Sequence, residues 1–179
     1  MMIFLTGPCG GGKTTLAHAY CTLHPECRHV DMDSLISEWF PAAAVAIGWN
    51  NEAGNALFFD ATLACVARLG TADPTAVLLV DMGAGSLEDA RAVEFFASRR
   101  DRHIAIHTSP ATAFDHLAHR AISYWRNNTV EEYSAVEYSP RRVAIYESAT
   151  VTIDTAVPID QCLRQLEKAV DELSRPSEP

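Results

Sequence analysis

Gly7 and Gly12 bracket Pro8-Cys9-Gly10-Gly11, and Lys13 and Thr14 follow at once. A glycine-rich turn can aim successive backbone N–H groups at one point. An ammonium side chain can reach past them, and a hydroxyl can hold a divalent cation. Together these capacities suit a nucleoside polyphosphate. The spacing fits the P-loop pattern G-x-x-x-x-G-K-[ST] at every defined position. Gly7, Cys9, Gly10, Gly11, Gly12, Lys13, Thr14 and Thr15 are therefore the candidate nucleotide-binding residues, with Lys13 for the β- and γ-phosphates and Thr14 for Mg²⁺. Cys9 sits near a helix N-terminus, where the dipole lowers a thiol pKa. An oxidation-sensitive Cys9 is one expectation, beside the plainer one of a small loop residue whose N–H is in use.

Carboxylates and arginines supply the rest of the chemistry. Asp81 ends the apolar run Val77-Leu78-Leu79-Val80, where a carboxylate can join Thr14 around Mg²⁺. Asp31 and Asp33 lie two apart and on an extended segment project to the same side. One of them can assist the metal while the other accepts from a substrate hydroxyl; Asp33 is a candidate for substrate contact, and an N-cap role ahead of Ser34-Leu35-Ile36 is compatible with that. Gly83 and Gly85 leave room for a substrate to approach the backbone. Arg126, inside the irregular stretch Ser123–Thr129, is a candidate lid arginine that closes on the phosphates. Arg142 opens a helix, an awkward place for a cation, and a substrate anion would offset that cost.

These residues need a scaffold that gathers them. Candidate strands are Met2–Thr6, Arg28–Met32, Ala76–Val80, His103–His107 and Val151–Asp154. Helical patterns cover Thr14–Leu23, Asn55–Leu69, Leu87–Ser98 (with Ser86 as N-cap), Ala111–Ala121, Arg142–Ser148 and Ile159–Leu173. Alternating strands and helices imply an α/β fold, a parallel sheet covered on both faces, with ligands at the carboxyl ends of its strands. One domain is expected over 1–173, with a lid at about 121–138 and a flexible tail at 174–179. The net charge of −9 disfavours nucleic acid and anionic lipid as partners. Five cysteines without a C-x-x-C pair form neither a disulfide framework nor a zinc pattern, and no leader or membrane-spanning run is read. The expectation is a cytoplasmic protein, a monomer or weak homodimer, acting on a small molecule.

The P-loop, Val30-Asp31-Met32-Asp33, Gly48-Trp49, Gly83–Gly85, Ser109-Pro110, Arg142 four residues before Tyr146, and Thr152-Ile153-Asp154 occur in an order and spacing that resembles the shikimate kinase family of small P-loop kinases. The likeness runs from Met2 to about Leu166. It implies a P-loop NTPase fold, a three-layer α/β/α architecture with a five-stranded parallel sheet in the order 2-3-1-4-5, and ATP with Mg²⁺. It also implies a mobile lid carrying Arg126, Asp31 near the metal, Asp33 on the acceptor hydroxyl and Gly83 and Gly85 presenting backbone. Arg142 would bind an anionic group, and Thr155–Pro158, Pro158 included, would pack near the adenine.

The departures are informative. The family's F-R-x-x-E segment after Gly-Trp has Ala53 and Ala56 at its charged positions here, and the lid's Arg-Pro reads Arg126-Asn127. Losing a buried charge-assisted bond costs a few kcal/mol, about two orders of magnitude in affinity. The donor half looks intact and the acceptor half rebuilt, with Asn51 and Glu52 as candidate pocket residues for a neutral polyol, an amino sugar or an amino-acid-like alcohol. An authentic shikimate kinase and a non-catalytic ATP-binding regulator are the alternatives.

Overall fold

The structure is a computed structural model and describes residues 1–49, 51–72, 76–99, 102–118, 125 and 127–174. Five parallel strands, β1 (Met2–Thr6), β2 (Cys27–Asp31), β3 (Val77–Asp81), β4 (His103–His107) and β5 (Val151–Asp154), form one sheet in the order β2-β3-β1-β4-β5. That order and the parallel sense are as the resemblance implied, with two strands displaced by a residue. Helices α1 (Lys13–Leu23), α2 (Met32–Trp39), α3 (Pro41–Ala46) and α4 (Glu52–Ala72) connect the first three strands. Helices α5 (Arg91–Ala97), α6 (Pro110–Ala118), α7 (Val130–Glu137), α8 (Pro140–Glu147) and α9 (Ile159–Ser174) complete the chain.

Period-two alternation divides the core. Phe4, Leu78 and Val80 point to one face, where they join Met32, Phe58, Phe59, Phe95 and Phe96. Ile3, Leu5 and Leu79 point to the other, against Leu16, Tyr20 and Leu166. A smaller cluster of Ala113, Leu117, Trp125 and Tyr133 joins α6 to α7. No helix among the described residues is long and apolar enough to cross a membrane.

Several local expectations change. Ser86 does not cap a helix; it lies buried in a 3₁₀ turn over Ala84–Leu87, its Oγ 3.0 Å from Thr62 Oγ1. α5 starts later, where Asp89 Oδ1 accepts the Arg91 N–H at 2.8 Å. Within the segment expected as a lid, Val130–Glu137 is helical. Thr129 Oγ1 accepts from Glu132 N, and Glu132 Oε2 accepts from Thr129 N, a reciprocal cap that starts α7. Ser174 belongs to α9 and donates to Val170 O at 2.6 Å, while 175–179 lie outside the described residues.

Candidate active site

The loop between β1 and α1 is held open by glycines that no other residue replaces. Gly10 adopts φ +79°, and a Cβ there would lie 2.2 Å from Ala113 O on α6. Both the left-handed backbone and the contact exclude a side chain. Its carbonyl also meets His116 Nδ1 at 2.9 Å. Lys13, only 8% exposed, donates from Nζ to Gly7 O at 3.0 Å and Pro8 O at 3.1 Å. An ammonium has three N–H donors, so one is left for an anion in the loop's hollow.

A cleft of about 180 Å³ opens in front of this loop. Cys9, Gly10, Gly12, Lys13 and Thr14 line it from the loop side, Asp31 and Asp33 from the end of β2, and Asp81, Gly83 and Ala84 from the end of β3. Parallel pairing sets Asp31 opposite Asp81 on neighbouring strands, so both carboxylates reach the same sheet edge. Thr14 Oγ1 donates to Asp81 Oδ2 at 2.5 Å. Asp81 is 5% exposed, yet its Oδ1 is buried without a hydrogen-bond partner. A buried carboxylate oxygen left unpaired is costly, and a hydrated cation beside Thr14 would satisfy it. The donor set is a hydroxyl and two carboxylates, and Mg²⁺ bound through few protein ligands plus phosphate oxygens fits it. Asp31, Asp81 and Thr14 thus come together as expected.

Asp31 and Asp33 exchange one anticipated task. β2 ends at Asp31, α2 starts at Met32, and Asp31 Oδ1, not Asp33, accepts the Ser34 N–H at 2.8 Å to cap the helix. Asp33 retains exposed surface and lines the cleft, where its carboxyl group is crowded against Gly83. Loss of water around it, with the nearby charges of Asp31 and Asp81, pushes its pKa up to about 6. A Cβ on Gly83 would stand 2.0 Å from Asp33 Oδ2. Gly83→Ala should therefore shift the carboxylate and cost roughly ten- to a hundredfold in turnover, with the melting temperature nearly unchanged. Turnover equal to wild type would show that Asp33 need not sit there.

Other expected site residues fall elsewhere. Gly85 meets the Phe58 ring, where a Cβ would come within 2.8 Å, so its smallness serves packing on α4. Asn51 Oδ1 accepts the Gly54 N–H at 2.9 Å as the cap of α4, and Glu52 is exposed in the first turn; neither lines the cleft. A second cavity of about 420 Å³ lies on the other side of the loop, between Gly10–Gly12, Thr15 and His116 and the segment after β5. Thr155, Val157 and Ile159 line it, whereas Pro158 between them does not; its carbonyl instead accepts from Gln161 and Cys162 at the start of α9. Arg126 lies outside the described residues.

Arg142 gives the largest correction. It is 4% exposed, and its guanidinium pairs with Glu137 on one side and Glu88 on the other. Two carboxylates of the chain thus stand where a substrate anion was expected, while Arg142 Nε and Nη1 remain buried without a hydrogen-bond partner. Glu137 Oε2 also accepts the Cys9 N–H at 3.0 Å, and Tyr133 Oη donates to Cys9 O at 2.6 Å, so both backbone groups of Cys9 are held by α7. Burial, reinforced by Glu137, pushes the Cys9 thiol up to about 11, opposite to the helix-terminus expectation. Glu88, Tyr133, Glu137 and His116 escaped the sequence reading. The Thr129-x-x-Glu132 cap was a usable signal for α7, but nothing local announced what Glu137 would touch.

No protein-family model and no curated protein matches this chain. Among solved structures, shikimate kinase from Bacteroides thetaiotaomicron matches with a TM-score of 0.75 and 21% identity over 96% of this chain and 98% of that one. Shikimate kinase from Acinetobacter baumannii in complex with shikimate matches with 0.69 and 20%, over 97% and 95% of the two chains. A gluconokinase from Sinorhizobium meliloti 1021 matches with 0.62 and 17%, over 97% and 91%. At such identities the likeness is one of architecture: the chain has the three-layer α/β/α fold of small-molecule P-loop kinases.

Proposed function

We propose that this protein transfers the γ-phosphoryl group of ATP, with Mg²⁺, to a hydroxyl of a small metabolite other than shikimate. The observation that carries the reading is the cleft itself. It gathers the Lys13 ammonium, the Thr14–Asp81 pair with an unsatisfied Oδ1, and a carboxyl group of raised pKa on Asp33. Lys13 offsets phosphate charge, and Thr14, Asp81 and Asp31 hold the cation. Mg²⁺ supplies charge neutralisation across the phosphate oxygens. Asp33 orients the acceptor hydroxyl and takes its proton as the oxygen bonds to the γ-phosphorus and the bond to ADP breaks. The larger cavity suits the nucleoside, between the loop and Thr155–Ile159.

Two observations favour an acceptor without a carboxylate. Arg142 has its charge paired with Glu137 and Glu88, although its Nε and Nη1 are buried without a hydrogen-bond partner, and Ala53 replaces the family's arginine. A neutral polyol or an amino alcohol avoids the cost of burying an unmatched anion. The test is ADP release with Mg·ATP across a panel of hydroxylated metabolites including shikimate, with Lys13→Ala as the blank. Turnover with a non-carboxylate acceptor is expected. Turnover on shikimate alone would overturn the acceptor assignment. ATP binding with no acceptor-dependent release would support a nucleotide-binding regulator instead.

A further inference from the structure

Cys21 sits in the last turns of α1 and Cys27 opens β2, and their sulfurs are in direct contact at 2.6 Å. Cys27 is buried and Cys21 half-buried, so one thiol of the pair can be reached from solvent. The five residues between them make a tight turn, with His24 N–H donating to Tyr20 O and Cys27 N–H to His24 O, both at helix- or turn-like range. That turn keeps the sulfurs facing one another. β2 is an edge strand with β3 as its neighbour, so its first residue has sheet support on one side. Glu26 and the Tyr20 hydroxyl lie near the pair, Asp171 and Glu167 of α9 face that hydroxyl, and His24 in the turn pairs with Glu26 at 3.4 Å and stacks on Tyr20.

We propose that Cys21 and Cys27 form a thiol–disulfide site that staples the end of α1 to the start of β2, independently of the kinase reading. The oxidant is a small-molecule disulfide such as oxidised glutathione. Cys21 thiolate attacks one of its sulfurs and expels a thiolate, giving a mixed disulfide. Cys27 thiolate then attacks Cys21 Sγ and expels the second. Two protein thiols are oxidised, one disulfide is reduced to two thiols, and the two protons pass to the leaving sulfurs. Burial raises both thiols, so the first step quickens as pH rises. Because the staple joins the ends of α1 and β2 away from Lys13 and Asp31, oxidation should raise thermal stability without changing nucleotide affinity.

The folded, full-length chain is incubated with oxidised glutathione at pH 8.5, acid-quenched, then alkylated under denaturing conditions and mapped by mass spectrometry. The expected result is three alkylated cysteines of the five, a peptide pair joined through Cys21 and Cys27, and a higher melting temperature that reductant reverses. In Cys21→Ser, Cys27 should become alkylatable again. Five alkylated cysteines, a persistent glutathione adduct on Cys21, or a cross-link through Cys9, Cys65 or Cys162 would each overturn the proposal. The wild-type map stands on its own if Cys21→Ser folds poorly.

Discussion

Asp33→Asn is expected to lower kcat about 10²- to 10⁴-fold, the range for losing a positioned general base. The change keeps the side chain's size beside Gly83 but removes its negative charge and its ability to take a proton. The pH profile separates this role from simple positioning. In the free protein Asp33 titrates near 6, raised first by lost hydration and then by Asp31 and Asp81. A base must be ionised, so kcat/KM should rise with pH in the wild type as Asp33 loses its proton. That limb should vanish in Asp33→Asn. Stability provides a readout without substrate. The folded chain holds the proton up to about 6, whereas an unfolded aspartate releases it near 3.8. Between those values the folded state binds more protons, so stability falls as pH rises, and below both the difference is fully present. Asp33→Asn should flatten that slope in denaturant titrations. An unchanged acid limb would assign the titration to another group and remove Asp33 from the chemistry.

The donor half of the site was legible because its determinants are local. A glycine-rich turn between an apolar strand and a helix carries its geometry with it, and Asp81 follows from the strand that it ends. The unbroken apolar run through Ile3, Phe4 and Leu5 likewise suited a buried strand, and its residues divide between the two faces of the sheet. What was not legible depends on contacts between distant segments. Arg142 reads, beside Arg141, as a cation at a helix start, and only the fold brings Glu137 and Glu88 onto it. Gly85 looks like substrate clearance until Phe58 of α4 fills the space. Asp31 and Asp33 share a composition, and the place where β2 gives way to α2 decides which caps and which faces the cleft. α2, α3 and α7 are short, and contacts with other helices hold them: α2 and α3 pack on each other and on α4, and α7 packs on α6.

Glu137→Ala is expected to destabilise the protein by about 3–5 kcal/mol, the cost of stranding one partner of a buried ion pair. For a chain of this size that is roughly 6–20 °C in melting temperature. Arg142 and Glu137 are 4% and 2% exposed, so neither charge can recover hydration when the other is lost. Glu88 remains beside Arg142, but it is 33% exposed and holds only the other side of the guanidinium. The same substitution removes the acceptor of the Cys9 N–H inside the P-loop, so nucleotide affinity should fall along with stability. Replacing both members with apolar residues, Glu137→Leu with Arg142→Met, should recover much of the loss, because only Glu88, which is partly exposed, then lacks its partner. A single substitution within 1 kcal/mol of wild type, or a double variant as unstable as the sum of its parts, would show that the pair is not coupled. Glu137→Gln then isolates the consequence for the acceptor. It keeps the hydrogen-bond acceptor for Cys9 yet lifts one negative charge from Arg142. If internal pairing is what excludes a carboxylate from the pocket, shikimate should inhibit Glu137→Gln more strongly than the wild type.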